Sequence, residues 1–187
     1  MLAKCSVNTL EYYTISNSVT LVPRLGYSVN LLDEIVDILK MKRNELKKSN
    51  KDLVLDFDES DKTHLKTIKL EQIMAYSLEI LLQIKKRIGR ISNVRSVLEV
   101  LPSSVPMIRT VSAQLFDILP NCSQKLSELS VHLGSIVLDS AVLTKARFDF
   151  SQSNEESSIL LDEVKLMVDS KLSKQYPNLD FFKLCNN

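Results

Sequence analysis

Tryptophan is absent from the 187 residues, and glycine occurs only three times. Glycine serves turns and left-handed backbone, so its scarcity argues for helices joined by few turns. The glycine loop that cradles phosphates is missing, as are a nucleophile elbow, an HExxH pair and EF-hand spacing. Cys5, Cys122 and Cys185 are odd in number and far apart, and none belongs to a CxxC. Neither His64 nor His132 stands at metal-ligand spacing from them, so neither a metal site nor a disulfide framework is expected. Reduced thiols of a soluble, cytoplasmic protein are the expectation. No run of 18 apolar residues occurs, and the start of the chain lacks the basic-then-apolar layout of a secretory signal. A transmembrane helix and an export signal are therefore not expected. The acid pairs Glu155–Glu156 and Asp162–Glu163 fall near a helix start, where capping accounts for them better than acid–base chemistry does. Each histidine stands alone. A protein that is not an enzyme and needs no cofactor is expected.

What is present is helical periodicity and unevenly placed charge. The net charge is +1, which gives no global drive toward nucleic acid. Residues 1–98 carry 16 Lys/Arg against 12 Asp/Glu, a balance of +4, and residues 99–187 carry 8 against 11, a balance of −3. A basic front and an acidic back can shield one another, a latent switch. From Asp61 to Leu101 the pattern is unbroken by proline and holds one glycine, Gly89. Leu81, Ile84, Ile88, Ile91, Val94, Leu98 and Leu101 recur at steps of three and four, which predicts one helix about 60 Å long. Such an element needs an equally long partner or projects into an assembly.

Residues 1–22 are rich in β-branched side chains and read as a loosely ordered leader, a membrane-inserting wedge being the sharper alternative. Pro23 suits the first turn of a helix, and Leu25, Val29, Leu32, Val36, Leu39 and Leu46 then form a stripe at nearly heptad spacing. The far end of that helix is strongly basic, with Lys40, Lys42, Arg43, Lys47, Lys48 and Lys51. The helix dipole favours two or three cations there, not six. Residues 49–60 break the pattern as a loop, with Ser60 or Asp61 as a cap for the long helix. A second basic cluster, Lys85, Lys86, Arg87, Arg90 and Arg95, has no acid between Glu79 and Glu99. A solvated face and an anionic partner both account for it. Lipid headgroups or an acidic protein fit better than nucleic acid, because no aromatics are interleaved for stacking.

Pro102 and Pro106 are expected to end the long helix and begin a short one, striped by Ile108, Val111, Leu115 and Ile118 and stopped by Pro120. Asn121 and Gln124 resemble a capping box for a fourth helix, striped by Leu126, Leu129, Leu133 and Ile136. Residues 147–154 read as a polar linker, and Ser153 with Glu156 as the capping box of a last helix. Leu161, Val164, Val168 and Leu172 form its narrow stripe, and Pro177 ends it.

This order of parts resembles the core of the ESCRT-III superfamily, most of all the archaeal cell-division branch usually called CdvB. The likeness rests on LVPRLGYSVNLLDEIVDIL, ILLQIKKRIGRISNVRSVLEVL, PMIRTVSAQLFDILPNCSQKLSELSVHLGSIVLDS and EESSILLDEVKLMVDSKLSKQYPNL, and covers roughly residues 21–180. It implies an all-α fold: a long antiparallel hairpin of the first and second helices, two shorter helices packed at its end, and a C-terminal regulatory helix. The implied divisions are a leader at 1–22, the core at 23–146, the linker at 147–154, and the regulatory helix with a short tail at 155–187. The implied function is a filament-forming, membrane-remodelling subunit of archaeal cell division or vesicle budding, peripheral at the membrane or division site. Lys40, Lys42, Arg43, Lys47, Lys48, Lys51, Lys85, Lys86, Arg87 and Arg90 would meet anionic membrane or neighbouring subunits. Leu161, Val164, Val168 and Leu172 would belong to an autoinhibitory helix. The implied partners are the anionic membrane surface, copies and paralogous subunits, and an AAA-type ATPase. No proline-rich ATPase-binding tail follows Pro177, so that ATPase would act directly through the last helix or through a partner subunit. The residues alone also fit a helical-bundle adaptor that binds a partner helix without touching lipid.

Overall fold

The computed structural model of the chain describes residues 7–53, 62–146 and 150–176, and the side chains of 20–49, 65–146 and 152–176. The helices are α1 (Val7–Leu53), α2 (Lys62–Ile88), α3 (Val94–Leu115), α4 (Pro120–Thr144) and α5 (Phe150–Gln175). No strand occurs among the described residues, so the protein is all-α as its periodicity requires.

The boundaries differ from the sequence expectation in six places. The 61–101 helix is two helices. α2 stops at Ile88, where Arg90 N–H bonds to Arg87 C=O and Ile91 N–H to Ile88 C=O in a tightened turn. Asn93 then caps α3: its side-chain oxygen accepts from Ser96 N–H at 2.9 Å, and Ser96 Oγ accepts from Asn93 N–H at 3.1 Å. This reciprocal cap satisfies two of the donors that a helix start leaves open. Secondly, Pro102 and Pro106 do not end a helix but lie inside α3. Each deprives a carbonyl four residues back of its donor, at about 3 kcal/mol. Burial offsets that cost, since Leu101, Val105, Met107, Ile108 and Val111 around them are all in the core.

Thirdly, residues 7–22, expected as a loosely ordered leader, open α1, so Pro23 lies in mid-helix rather than in a first turn. Leu21 and Leu25 are buried on either side of it. Fourthly, the same helix runs on through residues 49–53, expected as part of a loop. Fifthly, α4 is capped at Leu119 with Pro120 in its first turn and no side-chain cap bond, so Asn121 does not form the expected box. Sixthly, α5 begins at Phe150, inside the expected linker, and Ser153 is a buried helical residue rather than a cap. The expected cap at Ser60 or Asp61 and the stop at Pro177 fall outside the described residues.

α3 is the element around which the others pack, lying against α4, α2 and α5, while α1 packs on α2 and α4. Pairing fixes the sense of α1 against α4: Arg24 bonds to Asp139 and Ser135 at 2.7 Å each, whereas Glu34, further along α1, meets Lys125. The two helices are therefore antiparallel. Small hydroxyl residues let the helices approach closely. Ser112 Oγ on α3 donates to Ser123 C=O at 2.8 Å, and Ser123 Oγ on α4 donates back to Ser112 C=O at 2.8 Å. These reciprocal bonds pin the turn between α3 and α4.

The α4 stripe expected from spacing is the core face, with Leu126, Leu129, Leu133 and Ile136 fully buried. On α5 the stripe is also as expected, with Val164, Val168 and Leu172 buried and Leu161 half-buried. Leu133→Ala should therefore destabilise the fold by about 2–5 kcal/mol, while Leu166→Ala, on the exposed side of α5, should change stability by less than about 0.5 kcal/mol. Urea denaturation of the two variants checks the contrast.

Candidate functional site

Leu39 is the last fully buried side chain on α1 among the described residues. Beyond it the helix turns cationic. Lys40, Met41 and Lys48 are exposed, and Lys42, Arg43 and Lys47 are half-exposed. Lys40 pairs with Asp37 at 3.2 Å and Lys42 with Glu45 at 2.9 Å, both one turn away on the same helix. Exposed pairs of this kind are worth about 0.3–0.5 kcal/mol and exchange readily for other anions. The Lys51 side chain lies outside the described residues.

The second expected cluster is largely engaged inside the fold. Lys85 forms an ion pair with Asp33 of α1. The Arg87 guanidinium donates to Ser103 Oγ of α3 at 2.7 Å, tying the end of α2 to α3. Burial pushes the Arg87 guanidinium below its usual value, against the attraction of Glu156 on α5 and with repulsion from Arg90. Lys86, Arg90 and Arg95 remain exposed at this corner. The described cations named from the sequence therefore do not form one surface: Lys40 and Lys48 of α1 face solvent, and Lys85 and Arg87 hold helices together.

The shielding of basic front by acidic back is also local rather than general. α5 packs on α2 and α3, and the charge of its Glu156 favours the Arg87 guanidinium. What seats α5 is a polar clamp that apolar spacing did not reveal. Glu71, fully buried on α2, accepts from Tyr176 Oη at 2.6 Å and from Gln175 Nε2 at 3.3 Å. One residue on, Gln72 Nε2 donates to the buried Asp169 carboxylate at 2.7 Å. Tyr76 Oη donates to Leu161 C=O at 3.3 Å, and Lys171 reaches Glu79 at 3.2 Å. A legible signal existed: Glu71 stands between Ile68 and Ala75 on the stripe of α2, where a charge must find a partner.

Beside the clamp, Tyr76, Ile73, Leu161, Asp162, Lys165 and Asp169 line an open groove of about 440 Å³ between α2 and α5. Among the described residues no cluster of three His, Cys, Asp or Glu is placed to hold a metal ion. Cys122 is buried on α4. Burial pushes its thiol up, with Lys125 opposing and Glu34 adding, so it lacks the thiolate character of a reactive cysteine.

α4 is long and apolar enough by length and composition to cross a membrane, and 39% of its most apolar stretch is buried in this fold. Its Leu126, Leu129 and Leu133 pack the core, and its Asp139 and His132 bond to Arg24 of α1.

Burial, followed by the nearby Asp162 and Asp169 carboxylates, pushes the Tyr76 phenol above its ordinary 10.0. A raised phenol contributes stability below pH 10 that is lost as pH rises through the folded value. Tyr76→Phe should cost about 0.5–1.5 kcal/mol at neutral pH through the lost bond to Leu161. That advantage of the wild type over the variant should shrink as the pH is raised above 10, which parallel denaturation curves will read. No family model matches the sequence, and no solved structure matches the fold.

Proposed function

We propose that this chain is a non-enzymatic, filament-forming membrane-remodelling protein of ESCRT-III type, acting from the cytoplasmic side of an anionic membrane in archaeal cell division or vesicle budding. The observation that carries the reading is α1: 47 residues in one helix, about 70 Å long, whose cationic end has, among the described residues, no fully buried side chain beyond Leu39. In this reading α1 and α2 are the long antiparallel hairpin, α3 and α4 pack at its end, and α5 is the regulatory helix. The seat of α5 on α2 and α3 supports such a role, because a helix held by a few polar bonds and the narrow stripe Val164, Val168 and Leu172 can be released. An AAA-type ATPase, acting on α5 or through a paralogous subunit, would recycle the filament.

Energetics favour a collective mechanism. A basic residue near an anionic surface contributes about 1 kcal/mol, screened over roughly 8 Å at physiological salt. One subunit therefore binds weakly and reversibly, and a filament binds through many. The adaptor reading draws on a different observation: Ile159, Leu166 and Met167 are exposed along α5 and offer an apolar seam to a partner helix.

Co-sedimentation with vesicles separates the two. Binding to anionic vesicles at low salt, lost at high salt and absent with neutral lipid, supports the membrane reading. Replacing Lys40, Lys42 and Lys48 together by Glu should weaken that binding at least tenfold with unchanged helicity. Equal binding to neutral vesicles, or none to anionic ones, sinks it. Electron microscopy of the chain lacking residues 150–187 should show open-ended growth, whereas a fixed small oligomer favours the adaptor.

A further inference from the structure

The groove between α2 and α5 carries charges that the fold does not pair with one another. Lys69 of α2 and Asp162, Lys165 and Asp169 of α5 all line it. The Asp169 carboxylate takes the Gln72 amide at 2.7 Å. Lys69, Asp162 and Lys165 are exposed, and no ion pair or hydrogen bond among the described residues engages their side chains. Between them Ile73, Tyr76 and Leu161 form an apolar floor packed against the core. At about 440 Å³ the groove has the size of sites that hold a ligand or a few side chains. Its α5 wall runs from Asp169 through Lys165 and Asp162 to Ser158, about 16 Å of helix.

The end of α5 fixes what is delivered to this groove. The helix stops at Gln175, and Tyr176 is buried with its Oη on Glu71 at 2.6 Å. Glu71 adjoins Gln72, which lines the groove beside Asp169, so the chain leaves α5 at the groove's Asp169 end. Pro177 lacks the N–H that a further helical turn needs. Residues 177–187 read PNLDFFKLCNN. Five extended residues cover about 17 Å, so this segment is long enough to run the full α5 wall. Its charges also fall in the answering order. Beyond Asp169 the wall presents Lys165 and then Asp162, whereas the segment presents Asp180 and then Lys183, with Phe181 and Phe182 between them.

We infer that the groove is the docking site of the chain's own residues 178–184, with Asp180 on Lys165, Lys183 on Asp162, and Phe181 and Phe182 over Ile73, Tyr76 and Leu161. A tethered segment has an effective concentration on the order of millimolar, which favours it over a separate molecule of similar chemistry. Docked there, it bridges α2 and α5 and adds apolar cover to a helix whose own stripe is narrow. The inference does not rest on the membrane reading, since none of the α1 cations lines the groove.

Disulfide trapping tests the docking, in full-length protein carrying Cys5→Ser, Cys122→Ala and Cys185→Ser, in buffer without vesicles and at low protein concentration. Leu184→Cys is paired either with Ser158→Cys, which lines the groove, or with Ile159→Cys, the next residue on the exposed side of α5. The tether is the same to within one residue, and both α5 positions are exposed, so folding is unaffected and circular dichroism confirms it. The Ser158 pair should form at least tenfold more cross-link within one chain than the Ile159 pair. Adding Lys165→Glu to the Ser158 pair should lower that yield about threefold, the worth of an exposed ion pair, and adding Asp180→Lys as well should restore it. Equal cross-linking at the two positions, or none at either in a folded chain, overturns the proposal. Cross-links that form mainly between chains also overturn it and assign the groove to the segment of a second copy.

Discussion

The burial of α3 is the constraint on which the rest of the structure depends. From Leu101 to Val105 five consecutive residues are buried, and Met107, Ile108, Val111, Ser112 and Leu115 follow. A helix buried on so many sides needs neighbours around it, and α2, α4 and α5 supply them. Buried serines at 103, 104 and 112 keep those neighbours close. Their hydroxyls are used locally or across the seam: Ser104 returns its proton to Val100 C=O at 2.8 Å, and Ser103 accepts from Arg87. Two prolines survive in this helix for the same reason. In a helix without such support each would kink or end the element, whereas here the surrounding apolar contacts are lost if the helix breaks.

That tertiary override marks the limit of what the sequence could tell. Where one apolar stripe meets one neighbour, as on α4 and α5, spacing alone named the buried residues. It failed where a helix is surrounded or where the backbone turns without a strong breaker. Gly89 is tolerated in a helix at about 1 kcal/mol, and the Asn93–Ser96 box uses serine where glutamate is the recognised third-position partner, so the corner at 89–93 was hidden in continuous periodicity. The leader was misjudged because β-branched residues lower helix propensity only slightly and nothing before Pro23 interrupts the helix. Charge was legible in amount but not in use. Lys85 and Lys40 look alike in sequence, yet one is paired across helices with Asp33 and the other only with its own turn.

The clamp on α5 shows why such use matters. Apolar burial alone would make α5 a permanent part of the core, but its stripe is narrow, and its exposed side carries Ile159, Leu166 and Met167. Specificity of seating therefore falls to Glu71, Gln72, Asp169 and Tyr176, buried polar groups that are costly to leave unmatched. Such groups define one register and penalise sliding. They also make undocking an event that water can accommodate, because every partner that separates becomes hydrated.

α4 joins these themes, since its composition alone suggests a membrane-spanning helix while its position does not use it as one. The apolar content comes from two seams on opposite sides. One consists of Leu126, Leu129, Leu133 and Ile136, buried against the rest of the fold; the other, Val131, Leu138 and Val142, faces solvent. A helix meeting lipid all round has no reason to place Glu128 and Asp139 along its length, with Arg24 fixing Asp139 at 2.7 Å. A helix packed in a fold does, because polar residues fall between its buried seam and its solvent side. Hydropathy averaged over a window cannot separate these cases. The three-and-four spacing, read together with where the charges fall, can.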